Sequence, residues 1–402
     1  RTVISCTFFC FNKVTRHSRS CFLVRRTRRS TASVLMIRNS PFLYVMFSRI
    51  CLQYFNILFM KVTHEIAAYT ATGQPVFVFK VVNGTGTHVE FTNWGARWIT
   101  AAVPDTNGYL TNVIVGYDTL EEYLSDTYYM GATIGRFANR IANASFVIDD
   151  ITYQLETNDG CNTNHGGTTG FDQKLWQWEE LPNGVRFILT SPDGEGGYPG
   201  NLDVVVDYCW DEYNELTVSY FGKADKTTYL NMTNHAYFNL SGIREKVTSH
   251  LLTIPAGRML DTTPAFIPTG KIIPVTNTPF DFTRCKKIGQ ELYSGNRQLR
   301  NNRGYNHCYV LKEHPSCDML QAACLCEPVS KRRLTVTTDL PGVLLYTAGY
   351  YKLPDTAVCL ETQFFPDTPS HSHFPSCLLT PGRAYNQRTI YKFDIDDREV
   401  YS

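Results

Sequence analysis

From residue 74 onward the chain is written in short runs of apolar and β-branched residues, broken repeatedly by Gly, Asn, Asp and Pro. In 215–221, Leu216, Val218 and Tyr220 alternate with Thr217 and Ser219, the period-two pattern of a strand with one buried face. Runs at 74–82 and 87–91 flank Asn83-Gly84-Thr85-Gly86, which reads as a hairpin turn. Further strands are predicted at 184–190, 203–209, 308–311, 333–338, 343–347 and 390–395. Helical periodicity is confined to 118–125 and 288–293. No heptad, internal repeat or Gly/Ser linker divides the region. The pattern predicts an all-β fold, one large antiparallel β-sandwich occupying residues 61–402.

Composition alters this picture mainly at the N-terminus. The chain has 402 residues, 43% of them hydrophobic, which is enough for a large core. Ten of the 38 Lys and Arg, and none of the 37 Asp and Glu, fall in residues 1–60, so the remainder is acidic by nine charges. That balance leaves no nucleic-acid footprint. Residues 41–60 (PFLYVMFSRICLQYFNILFM) are apolar, but Arg49 sits mid-segment, where insertion costs roughly 2.5–3.5 kcal/mol. A membrane span is therefore not expected. A basic, acid-free leader also fits a transit peptide, and a third reading takes Met60 as the start. Patterning that begins immediately after Met60 favours the third: residues 1–60 are read as a non-native or disordered extension. A chain starting at Met60 is accordingly expected to be soluble and as active as the full one, and loss of activity on that truncation alone would contradict this. Of the thirteen cysteines, Cys324-Leu325-Cys326 is too tight for a zinc knuckle, and a chain this long does not need disulfides. Reduced thiols and a cytoplasmic location are expected.

The polar chemistry concentrates in a few turn-flanked contexts. His165 lies in Asn-His-Gly-Gly, His235 in Asn-His-Ala-Tyr-Phe-Asn, Glu361 in Cys-Leu-Glu-Thr-Gln, and Asn139-Arg140 in Gly-Arg-Phe-Ala-Asn-Arg. A carboxylate and an imidazole can serve as base and acid near neutral pH when their surroundings tune them. A guanidinium fork and amides can hold hydroxyls. The set suits proton transfer on a neutral, hydroxyl-rich substrate. Taken singly, each has a structural reading: a satisfied buried histidine, a turn asparagine, a solvated strand-end charge. Tyr198 and Tyr237 could stack on such a substrate or hydrogen-bond it, whereas Trp176, Trp178, Phe238 and Phe364 read as core. Asn231 and Asn239, although within sequons, read as structural. The histidines lack the spacing of a metal motif, and none is expected.

Together these stretches resemble the aldose 1-epimerase (galactose mutarotase) family. The resemblance is carried by GRFANRIANASF (135–146), NHGG (164–167), GFDQKLW (170–176), SPDGEGGYPGNL (191–202), NMTNHAYFNLSG (231–242), IPTG (267–270) and CLETQFFPD (359–367), in order from about Ala68 to Phe393. It implies the mutarotase-like supersandwich and cofactor-independent interconversion of the α and β anomers of free aldohexoses, galactose and glucose foremost. Glu361 would be the base and His235 the acid. His165 would support the ring oxygen or a neighbouring hydroxyl, and Asn139, Arg140, Tyr237 and Asn306 would hold the sugar. The protein would work as a monomer or homodimer. Two positions depart from the family pattern. Asn306 stands where an Asp is usual, which is expected to weaken binding by roughly 1.5–3 kcal/mol. Leu344 stands where Gln is common. These departures keep open a sugar-binding or regulatory protein of the same fold. A glycoside hydrolase would need a second carboxylate at the site, and a hexose-phosphate enzyme a cluster of cations.

Overall fold

The computed structural model describes residues 60–242, 245–314 and 318–396; the expectations made for 1–59 lie outside them. Two antiparallel sheets dominate. The larger has nine strands, with Gly184–Ser191, Leu202–Trp210, Glu215–Ala224, Tyr385–Ile395 and Arg332–Thr338 adjacent at its centre. The smaller has five, in the order Pro268–Pro274, Arg258–Thr262, Asn306–Val310, Gly342–Tyr346, Cys359–Gln363. A separate five-stranded meander runs from Lys61–Tyr69 to Leu110–Asn112. This is the all-β sandwich that the alternation predicts, with its strands one or a few residues longer at either end.

The alternation explains the layers. Leu202, Val204, Val206, Tyr208 and Trp210 are buried along one strand, and Leu216, Val218 and Tyr220 along its neighbour, where Tyr208 pairs with Val218. Each such side chain, fully buried, contributes about 1.5–3 kcal/mol. The core continues through Phe79, Val81, Val89 and Phe91 of the meander. In the smaller sheet, Asn306–Val310, Gly342–Tyr346 and Cys359–Gln363 are buried on both faces. Cross-strand partners Leu345 and Leu360 enter the main core, while Leu344, Cys308 and Cys359 point into a second apolar cluster on the opposite face. Glu361, cross-strand from Leu344, is on that second face too.

Turn chemistry accounts for the details. The hairpin joins Pro75–Val82 to His88–Thr92 through Asn83–Gly86, with the Asn83 amide oxygen accepting from the Thr85 backbone. The helix expected at 118–125 is Leu120–Leu124, capped by Thr119 with Glu122 reaching back to the cap. The one expected at 288–293 is only a 3₁₀ turn, Ile288–Gln290. A helix forms instead at Arg297–Asn301, where Asn296 caps the Gln298 and Leu299 amides. The strand Lys61–Tyr69 carries no alternation, because as a sheet edge it buries only Ala68. Among the described residues no helix is long and apolar enough to cross a membrane.

Candidate active site

Two short strand pairings and one side-chain clamp bring the polar contexts together. Arg140–Ile141 pairs with Thr163–Asn164, so the Asn-Arg and Asn-His-Gly-Gly segments form one ribbon. Within it His165 donates its backbone N–H to the Asn139 carbonyl (3.2 Å), and the Asn139 N–H donates to His165 Nδ1 (3.3 Å). Thr233–Asn234 pairs with Thr133–Ile134, and the His235 N–H donates to the Ala132 carbonyl. Asn234 locks this crossing by donating to the Gly131 carbonyl and the Tyr208 hydroxyl. Glu361 sits at the middle of the edge strand Cys359–Gln363, which Asn231 fastens by bonding the Phe364 backbone through both ends of its amide. Asn231 and Asn239 are thus structural, as expected, each buried with its amide on backbone carbonyls.

A cavity of about 150 Å³ lies where these elements meet. Its lining includes Asn139, Arg140, His165, His235, Tyr237, Asn306, Leu344 and Glu361, the residues that the family resemblance marks out. His235 Nε2 is 3.6 Å from Glu361 Oε1, too long for a hydrogen bond, so the two groups face a shared gap rather than satisfying each other. Glu361 is 1% exposed, and neither of its oxygens has a partner among the described residues. Burial pushes its carboxyl up to about 8, against a smaller opposing pull from Arg140. Burial lowers His235 to about 4. His165 is held well below the ordinary imidazole value by burial, then by His235 and Arg140. With Nδ1 accepting from Asn139, neutral His165 carries its proton on Nε2 and is a hydrogen-bond donor.

The remaining residues divide between reading and scaffolding. Arg140 gives Nε to Asp159 (2.7 Å) and stacks 4.8 Å from the Phe266 ring centre, leaving its terminal nitrogens without partners among the described residues. The Tyr237 ring is 5.0 Å from His235, but its hydroxyl donates to the Tyr128 carbonyl (2.8 Å). Tyr198 does not reach the cavity. It is buried against Phe146, because its turn is drawn inward by Arg136. Arg136 gives its whole guanidinium to Ser191, Pro192 and Pro199, pinning the 191–199 loop to the site segment. Trp176, Phe238 and Phe364 are buried in the core as expected, and Trp178 packs against it. Asn164, of the Asn-His-Gly-Gly motif, also lines the cavity, as do Tyr129, Tyr346 and Tyr350, which carry no motif that would single them out.

Gly166 is required by close approach. Its φ is +90°, and a Cβ there would lie 2.1 Å from the Gly135 carbonyl oxygen. Gly166→Ala is expected to displace His165 and destabilise the fold by more than about 1 kcal/mol. An unchanged thermal midpoint for that variant would contradict it.

The fold converges donor atoms of His165, His235 and Glu361 to within 4.8 Å of one another, which no sequence spacing could reveal. The set does not suit a divalent ion. The nitrogen of His165 that remains free of Asn139 bears the ring proton, so it has no lone pair to give.

Comparison with known proteins agrees with this geometry. The family model described as aldose 1-epimerase matches residues 78–392. The galactose mutarotase of Bos taurus is 40% identical over 324 residues, covering 76% of this chain and 91% of its own length. The aldose 1-epimerase of Escherichia coli strain K12 is 33% identical over 343 residues, covering 82% and 99%. Among solved structures, a galactose 1-epimerase from Lactobacillus acidophilus superposes with a TM-score of 0.74 at 27% identity, covering 84% of this chain and 99% of the other. An aldose epimerase homologue from C. elegans gives 0.72 at 29%, covering 78% and 97%. With a matching family model over most of its length and relatives of this similarity, the chain belongs to the aldose 1-epimerase family.

Proposed function

We propose that this chain interconverts the anomers of free aldohexoses, galactose and glucose first, with Glu361 and His235 as the proton-transfer pair. The observation that carries the reading is the His235 Nε2 to Glu361 Oε1 gap of 3.6 Å at the base of a cavity with both carboxylate oxygens unpartnered. In ring opening, Glu361 removes the proton from the anomeric hydroxyl. The C1–O5 bond then breaks as the His235 imidazolium protonates O5. Rotation about C1–C2 presents the other face of the aldehyde. Glu361 returns its proton to O1 while His235 takes the one on O5, and the ring closes as the opposite anomer. The His165 Nε2–H, the guanidinium nitrogens of Arg140 not given to Asp159 and the Asn139 amide would hold the ring oxygen and hydroxyls.

The scheme requires one proton on the pair: one partner acid, the other base. Before sugar binds, that proton belongs to Glu361, since burial raises its carboxyl to about 8 and lowers His235 to about 4. This is the protonation state of the open-chain complex. Sugar hydroxyls donating to the carboxylate stabilise its ionised form and shift the proton toward His235, readying ring opening. Polarimetry on freshly dissolved α-galactose and α-glucose tests the reading. Rotation should reach its equilibrium value faster than in buffer, whereas binding without acceleration would leave a sugar-binding role.

Asn306 lines the cavity from the strand beside Leu344, with its backbone N–H directed to its neighbour His307. Asn306→Asp is expected to lower KM for galactose about tenfold with a smaller change in kcat, the pattern of a contact equal in ground and transition states. Saturation curves decide it: an unchanged KM would make Asn306 part of the scaffold.

A further inference from the structure

We propose that Tyr129 is a positioning residue for the reaction: its ring walls both imidazoles off from water, and the buried Arg97–Asp126 pair holds it there. The inference rests on the acid–base reading above and deepens it. Tyr129 lines the cavity, its ring centre 4.6 Å from that of His165 and 6.0 Å from that of His235, tilted 50° and 31° to them. The two imidazoles are themselves 5.3 Å apart, so one side chain covers both.

The backbone beneath the ring is held in an unusual state. Tyr129 has φ of 59°, a left-handed conformation that costs a bulky residue free energy unless its surroundings impose it. Here they do. Asp126 accepts from the Tyr128 N–H (2.9 Å) and the Met130 N–H (2.8 Å), the residues on either side of Tyr129. The same carboxylate accepts from Arg97 Nη1 (2.7 Å) and the Tyr117 hydroxyl (2.7 Å). Arg97 adds bonds to the Met130 and Asp172 carbonyls. Both side chains of the ion pair are wholly buried, which makes the arrangement expensive to disrupt. A charge pair thus fixes one turn, and the turn directs one ring at the catalytic imidazoles.

A dry aromatic wall favours neutral imidazoles, in keeping with the burial that depresses His235. The other titratable side chains facing His235 are His165, Glu361, Cys359, Tyr237 and Tyr346, while Asp126 and Arg97 act on it from farther off with opposite signs. None of these would replace the cover that Tyr129 supplies.

The test uses Tyr129→Gly and Tyr129→Phe in the full chain. Glycine takes a φ of 59° freely, so the turn survives while the ring is lost. Tyr129→Gly is expected to lower kcat/KM for α-galactose about tenfold or more at neutral pH. Its acid limb should move from about 4 toward the ordinary imidazole value of 6.5. Tyr129→Phe should keep the wild-type profile. If Tyr129→Gly does not fold, Tyr129→Asn, which also tolerates this backbone state, takes its place. A folded variant without the ring whose acid limb coincides with wild type would overturn the proposal, as would Tyr129→Phe shifting as far as glycine. Because each comparison is made against active wild type, loss of the mutarotase reading itself would register separately, as wild type with no activity.

Discussion

Glu361→Gln is expected to reduce kcat for mutarotation by at least ~100-fold and to stabilise the protein at alkaline pH. The loss follows from chemistry. An amide cannot take the anomeric proton, and among the described residues no other carboxylate lines the cavity. The gain follows from linkage. Below about pH 4.5 the carboxyl is protonated in folded and unfolded chains alike, so it contributes no difference. Between 4.5 and about 8 the unfolded chain releases a proton that the folded chain retains, and stability falls as pH rises. Glutamine, of nearly the same shape, removes that penalty. Thermal midpoints should therefore coincide near pH 4 and favour the variant near pH 8. A variant whose deficit against wild type grows from pH 4 to pH 8 would show that the buried carboxylate has partners that stabilise its charge.

His235→Asn should cost a similar factor in kcat, at least ~100-fold, with KM little altered. The ring lies 3.6 Å from Glu361 and 3.7 Å, at Nδ1, from Cys359 Sγ, while its backbone holds the crossing with Ala132 and Gly131. Asparagine keeps that backbone pairing and removes the group proposed to give and take the O5 proton. The cavity and the residues proposed to hold the sugar stay in place, so binding is expected to persist. A variant whose turnover lies within threefold of wild type would transfer the role to another group, His165 first.

Much of this was legible before the structure. Alternation in 203–221 specified the two central strands and their buried faces, and Asn83-Gly84-Thr85-Gly86 specified a hairpin. His165, His235, Asn139 and Arg140 stood out because polar side chains in glycine- and asparagine-rich segments have no role in a core, and Glu361 as the one charge in Cys-Leu-Glu-Thr-Gln. What escaped was set by long-range pairing. Arg97 and Asp126 lie 29 residues apart in sequence, and nothing local marks them as partners. Tyr129 reads as one aromatic among many. Tyr198 sits in a glycine-rich turn that suggests exposure, yet Arg136 draws that turn inward. The helix expected at 288–293 yields to one better capped by Asn296, and Lys61–Tyr69 is an edge strand with nothing to alternate. The proximity of His165 to His235 and Glu361 required two separate strand pairings and a side-chain clamp, none encoded in spacing.

The most direct test is the pH dependence of kcat/KM for α-galactose, followed by polarimetry on the wild-type chain. Because the reacting pair must hold one proton, the profile should be bell-shaped, falling below about 4 as His235 gains a second proton and above about 8 as Glu361 loses the last. A rotation that relaxes no faster than in buffer, or an accelerated one with no loss of rate on either side of that window, would contradict the assignment of Glu361 and His235 as the proton-transfer pair.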